Sequence, residues 1–220
     1  PDHADANQLL GVIANQTGNY ETAAKLISKA IRKNPLVADY HSNLGNALKS
    51  LSRLDDAVDS YNKAIVMNPN LAVAHNNLGN TFQELGQPDK AVGSYQKALR
   101  IDPDYAEAHS NLANTFSELG RLDEAVASCH KSLDINPDYA GAHGNLGVAL
   151  QGLMRLDEAV ASYHRALAIN PGFFEVKNNL GCVLFELGKL GEAVASYHES
   201  LAINPDYAEA HNNLGNALRE

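Results

Sequence analysis

Six asparagines stand 34 residues apart, at Asn43, Asn77, Asn111, Asn145, Asn179 and Asn213. A carboxamide carries two N–H donors and an oxygen with two lone pairs. It can therefore bond a peptide backbone at both N–H and C=O without selecting a side chain. A row of such groups at regular rise suits an extended chain of unspecified sequence. A second row, Asn46, Asn80, Asn114 and Asn216, lies three residues further on and so on the same helix face; Val148 and Cys182 interrupt it. A third row runs through Ser42, Asn76, Ser110, Gly144, Asn178 and Asn212. The competing role is a brace, in which each amide ties one repeat to the next. The two roles are compatible.

Other reactive side chains recur at the same period and lose their chemical promise for that reason. His41, His75, His109, His143 and His211 fall one hairpin apart, with Lys177 replacing one of them. A shared metal needs ligands within about 2.1 Å of one ion, whereas stacked helices sit about 8–10 Å apart. These histidines are expected to be half-buried spacers, and His130, His164 and His198 to face solvent. Asp123-Glu124, Asp157-Glu158 and Glu192 open second helices, where a carboxylate meets the positive end of the helix dipole. Catalysis needs one asymmetric constellation, and no nucleophile motif, phosphate loop or metal signature breaks the repetition. A non-enzymatic chain without cofactor, metal or catalytic residue is expected.

The elements that carry these rows follow from one unit, Ala72 to Tyr105. Ala74, Leu78, Phe82 and Leu85 fall at steps of four, four and three, which places them on one stripe of a helix. Gly86 supplies the left-handed residue that closes it. Pro88 and Asp89 open a second helix, whose buried stripe is Ala91, Tyr95, Ala98 and Leu99, and Pro103 ends it. The unit is an antiparallel helical hairpin, and a fixed 34-residue period makes the chain a stacked array. Glycine inside a helix costs about 1 kcal/mol relative to alanine. Yet Gly11, Gly45, Gly79, Gly147, Gly181 and Gly215 sit mid-helix opposite a column of alanines at 23, 57, 91, 125, 159 and 193. Close helix crossing explains both. Tyr61, Tyr95, Tyr163 and Tyr197 fill the space between, with Cys129 standing in once. The turn glycine of Gly18, Gly86, Gly120 and Gly188 becomes Ser52 and Met154, so those two turns must be built differently or carry strain.

Leu-Gly in the first helix, Ala and Tyr in the second, and a closing Pro resemble the tetratricopeptide repeat over essentially the whole chain. The resemblance implies an all-α, right-handed superhelical solenoid of antiparallel hairpins, with the first helices lining a concave groove. Residues 1–3 are read as the end of a preceding repeat; 4–37, 38–71, 72–105, 106–139, 140–173 and 174–207 as six repeats; and 208–220 as the first helix of a seventh. The asparagine ladder resembles the repeat arm of O-linked N-acetylglucosamine transferases, whose asparagines hold substrate polypeptide; no part resembles their catalytic domain. Chaperone-adaptor repeats of the family grip acidic tails with first-helix cations. Here those places hold Gln8, Ser42, Asn76, Ser110 and Asn178, or Asp39, Val73, Glu107, Glu175 and Glu209, and an acidic ligand is disfavoured.

Composition is that of a soluble folded chain. Hydrophobic residues make up 45% and charged residues 20%, with a net charge of -9. Without a basic cluster neither nucleic acid nor a membrane surface is an expected partner. Cys129 and Cys182 form no disulfide framework, which suits an intracellular, cytoplasmic setting. The expected partner is an extended peptide or protein segment. The alternatives are the recruiting arm of a glycosyltransferase, and a scaffold that associates end to end through uncovered terminal helices. Val148, Cys182 and Phe185 make the fifth and sixth repeats more apolar, with side-chain pockets expected there.

Overall fold

The structure, a computed structural model, describes residues 3–220. Pro1 and Asp2, read above as closing a preceding repeat, lie outside the described residues. Thirteen α-helices and no strand occur among the described residues, in two compact units, Pro1–Pro103 and Asp104–Glu220. The first unit holds α1 (Ala4–Gln16), α2 (Tyr20–Lys33), α3 (Ala38–Ser50), α4 (Leu54–Met67), α5 (Ala72–Glu84) and α6 (Pro88–Ile101). The second holds α7 (Ala106–Glu118), α8 (Leu122–Ile135), α9 (Ala140–Gly152), α10 (Leu156–Ile169), α11 (Phe174–Glu186), α12 (Leu190–Ile203) and α13 (Ala208–Ala217). Each odd-numbered helix up to α11 packs on its even-numbered successor as a hairpin. Within each unit the odd-numbered helices also adjoin one another, forming one wall. Among the described residues no helix is long and apolar enough to cross a membrane.

All six turns inside the hairpins are built alike. Gly18, Gly86, Gly120 and Gly188 are left-handed, and so are Ser52 at φ 57° and Met154 at φ 60°. The Gly86 N–H donates to the Gln83 carbonyl at 2.9 Å and the Gln87 N–H to the Phe82 carbonyl at 2.8 Å. Ser52 and Arg53 reproduce the pair at 2.8 and 2.9 Å, as do Met154 and Arg155. The hydrogen-bonding is thus that of the glycine turns, and the departure from glycine is met by strain, roughly 1–2 kcal/mol per left-handed residue.

The recurrent Asn before Pro has its own reason. Asn68, Asn136, Asn170 and Asn204 each accept, through the side-chain oxygen, the backbone N–H two residues on at 3.1–3.2 Å. This closes the connection between hairpins in a turn that asparagine favours. The periodic histidines hold the same connection. Nε2 of His41, His75, His143 and His211 lies 3.0, 3.1, 2.9 and 2.7 Å from the carbonyl oxygen of the proline six residues earlier. They latch that loop, but the periodic histidines are not uniformly half-buried as expected: His41, His75 and His109 are buried, His143 is half-buried and His211 is exposed. His130, His164 and His198 are exposed.

The core is a column of small residues against rings. Ala23, Ala57, Ala91, Ala125, Ala159 and Ala193 are fully buried, as are Tyr61, Tyr95 and Tyr163. A Cβ placed on Gly45, Gly79, Gly147 or Gly181 would stand 2.4–2.6 Å from the ring of Tyr61, Tyr95, Tyr163 or Tyr197. The mid-helix glycine therefore makes room for a tyrosine ring of its own hairpin. Ala113 is admitted in the one repeat where Cys129 replaces that ring, and both are fully buried.

Candidate functional site

In each unit the odd-numbered helices carry all three rows, and not at one depth. The six asparagines of the first row are half-buried. The third row is sealed: Ser42, Asn76, Ser110, Gly144 and Asn178 are buried, and only Asn212 is exposed. From Ser42 to Asn178 the third row is therefore closed to a ligand. It lies where adjacent helices meet, and its polar atoms serve as partners for the first row.

Those partnerships are specific. Asn77 donates from Nδ2 to the Asn46 Oδ1 at 3.0 Å, bridging α5 and α3. Asn145 donates to the Ser110 carbonyl oxygen and to its Oγ, both at 3.1 Å. Asn213 donates to the Asn178 Oδ1 at 3.0 Å and lies 3.3 Å from the Cys182 Sγ. Three first-row amides thus brace the preceding hairpin through the nitrogen. Their oxygens accept no hydrogen bond among the described residues. In Asn179 the oxygen is reached instead by the neighbouring Asn178 Nδ2 at 3.4 Å.

The second row is engaged from the other side. Asn46 Oδ1 accepts the Tyr61 hydroxyl at 2.7 Å in addition to Asn77. Asn80 Oδ1 accepts the Tyr95 hydroxyl, also at 2.7 Å. On α3 and α5 the second-row oxygens are therefore taken by the core tyrosines, which leaves their N–H groups as donors. Burial pushes the Tyr61 hydroxyl well above the ordinary tyrosine range, so it stays protonated and keeps donating. Asn114 instead donates from Nδ2 to Glu118 at 3.0 Å, and Asn216 is exposed. Tyr95 also lies 3.1 Å from Gln83, and where Val148 replaces the asparagine Tyr163 keeps the equivalent contact with Gln151 at 3.3 Å.

Polar links that the asparagine pattern did not disclose run along the edge of the wall. Lys49 pairs with Glu84 at 3.1 Å, and Gln151 donates to Glu186 at 2.6 Å. Both join adjacent hairpins, 35 residues apart. The sequence signal was the column Asn15, Lys49, Gln83, Ser117 and Gln151, four residues past the glycine column. At the C-terminal end Cys182, Phe185, Glu186, Tyr197, Asn213 and Asn216 line a small cavity of about 140 Å³. Burial raises the Cys182 thiol above its usual value. Among the described residues no three His, Cys, Asp or Glu side chains converge as metal ligands.

Comparison with known proteins identifies the repeat. Family models described as tetratricopeptide repeat match residues 4–35, 72–105, 106–139 and 140–173, and one described as TPR repeat matches 45–86 and 181–220. Among solved structures, PilF of Pseudomonas aeruginosa superposes with a TM-score of 0.82 at 19% identity, covering 97% of each chain. TTC0263, a thermophilic TPR protein in Thermus thermophilus, gives 0.71 at 25% identity over 84% of this chain and 100% of its own. YrrB, described as a TPR protein with an unusual peptide-binding site, gives 0.65 at 23% identity over 86% of this chain and 97% of its own. A comparison with curated protein sequences returns no match.

Proposed function

Because the chain belongs to the tetratricopeptide repeat family, whose members are protein-interaction modules, we propose that it holds an extended peptide along the first helices of its hairpins. The grip is through the asparagine rows. One observation carries this reading: on α5 one Asn77 N–H is given to Asn46, and the Asn80 oxygen accepts the Tyr95 hydroxyl. What remains, one helical turn apart, is the oxygen and one N–H of Asn77 and the N–H donors of Asn80. A peptide backbone presents the complementary alternation of N–H and C=O without regard to side chains. The internal bonds thus hold each amide in a single orientation before a ligand arrives, which lowers the entropy lost on binding.

The test is Asn80→Asp. Aspartate retains an oxygen for Tyr95 but turns the outward donor into a second acceptor facing a peptide carbonyl. Binding of neutral extended peptides, selected from a random library and read by fluorescence anisotropy, is expected to fall about tenfold or more. The melting temperature should hold within about two degrees. Unchanged affinity would remove the ladder from the binding surface. The ladder also supports a narrower reading, in which the held segment is the substrate of a glycosyltransferase. That reading requires O-linked sugar transfer to the segment by the full protein, and its absence would reject it.

A further inference from the structure

We propose that the first unit contains a pocket for one neutral, amide-bearing side chain, asparagine or glutamine, of the bound segment. This inference rests on the peptide-binding reading above and names a residue preference within it. Two substitutions in the first repeat create the pocket. Ile27 stands where Tyr61, Tyr95, Tyr163 and Tyr197 stand in other repeats, and Val12 stands where Asn46 and Asn80 stand. In the second repeat the tyrosine hydroxyl reaches Asn46, and Asn46 in turn accepts the Asn77 amide. In the first repeat both the ring and the accepting amide are missing.

The result is a cavity of about 250 Å³ lined by Val12, Asn15, Gln16, Ile27, Asn43 and Asn46. That is several times the roughly 30 Å³ that one water occupies in the liquid. Asn15 is among the lining residues, and its Oδ1 is buried without a hydrogen-bond partner. A buried acceptor left unpaired is costly, so a small turn of the Asn15 side chain towards an entering N–H or O–H is favoured. Asn43 has lost the partner that Asn77 finds in Asn46, because valine accepts no hydrogen bond. Asn46 has its oxygen filled twice, so it offers N–H donors only. The cavity therefore presents four neutral amides, Asn15, Gln16, Asn43 and Asn46, and two apolar side chains. No Lys, Arg, Asp or Glu lines it, so a charged occupant would lose water with no counter-ion. A primary carboxamide on a short methylene stem meets each requirement: its N–H to Asn15, its oxygen to Asn46, its stem on Val12 and Ile27.

The experiment uses isotopically labelled protein and acetylated seven-residue alanine peptides whose central residue is Gln, Leu, Glu or Lys, titrated to millimolar concentration. Side-chain amide resonances of Asn15 and Gln16, which line the pocket and belong to neither ladder row, report the pocket, and those of Asn77 and Asn145 report the ladder. The Gln peptide is expected to shift both sets, and the other three the ladder alone. Ile27→Tyr, which refills the gap as Tyr61 does, should abolish the pocket shifts while sparing Asn145. Asn15→Leu should do the same without adding a ring, so a folding defect in one variant does not decide the matter. Ladder shifts without pocket shifts, or equal pocket shifts for all four peptides, overturn the pocket and leave the ladder standing. Pocket shifts for Gln without ladder shifts overturn the ladder and leave the amide site. No shift anywhere overturns both.

Discussion

Gly79 and Tyr95 meet so closely that a Cβ on the glycine would lie 2.5 Å from the tyrosine ring. The glycine forfeits about 1 kcal/mol of helix propensity relative to alanine, and the chain accepts this to bury a ring whose hydroxyl then holds Asn80 at 2.7 Å. Packing and the candidate site are therefore one structure.

Gly79→Ala is expected to destabilise the protein by roughly 1–3 kcal/mol through overpacking, despite its better propensity. The fourth repeat offers the converse. Cys129→Tyr should destabilise because Ala113 occupies the ring's place, and Ala113→Gly added to it should recover most of the loss. A double-mutant cycle by urea unfolding measures the coupling. Additive effects would show that the two columns do not constrain each other.

Ser52→Gly and Met154→Gly are expected to stabilise. Each residue is left-handed, and glycine relieves the strain while adding some freedom to the unfolded chain. A net gain of roughly 0.5–1 kcal/mol per site is expected by thermal unfolding. A loss at Met154, whose side chain is largely exposed, would mean that the turn is not strained.

His75 should make stability fall in mild acid. Burial holds its pKa below the ordinary 6.5, the Pro69 carbonyl opposes this in part, and Lys97 and Arg100 add to the lowering. Its Nε2 faces the Pro69 carbonyl, while Nδ1 is buried without a partner for a second proton. With the folded pKa below the unfolded one, the unfolded chain binds the proton first. Stability is then full above about pH 6.5 and declines as pH falls towards the folded value. His75→Gln, which keeps a donor for Pro69, should flatten this part of the curve. Matching wild-type and variant curves between about pH 7 and 5 would dismiss the effect.

The two thiols should react unequally. Burial pushes Cys129 up to about 12, and the residue is fully buried, so the native protein should leave it unmodified by iodoacetamide at neutral pH. Cys182 is half-buried at the wall and should react, though more slowly than an open thiol. Mass spectrometry after timed labelling distinguishes them. Rapid modification of Cys129 would contradict the packing around Ala113.

The hairpins, their turns and the core columns were legible in the sequence because each is a local pattern repeated many times. An apolar stripe at helical spacing, a glycine or proline at a fixed offset and an asparagine before proline are each set by near neighbours along the chain. Even the surprises there were small: Met154 and Ser52 adopt the glycine conformation because two backbone hydrogen bonds and the flanking helices dictate it. The asparagine rows were visible too, but not what each amide does. Asn77 meets Asn46 from 31 residues away, and Asn145 meets Ser110 from 35. Which end of a carboxamide is spent on such a partner depends on the packing of separate helices. Likewise, Ile27 in a tyrosine column reads as a conservative apolar change. Only the folded first unit turns the missing ring into a cavity beside an unpaired Asn15.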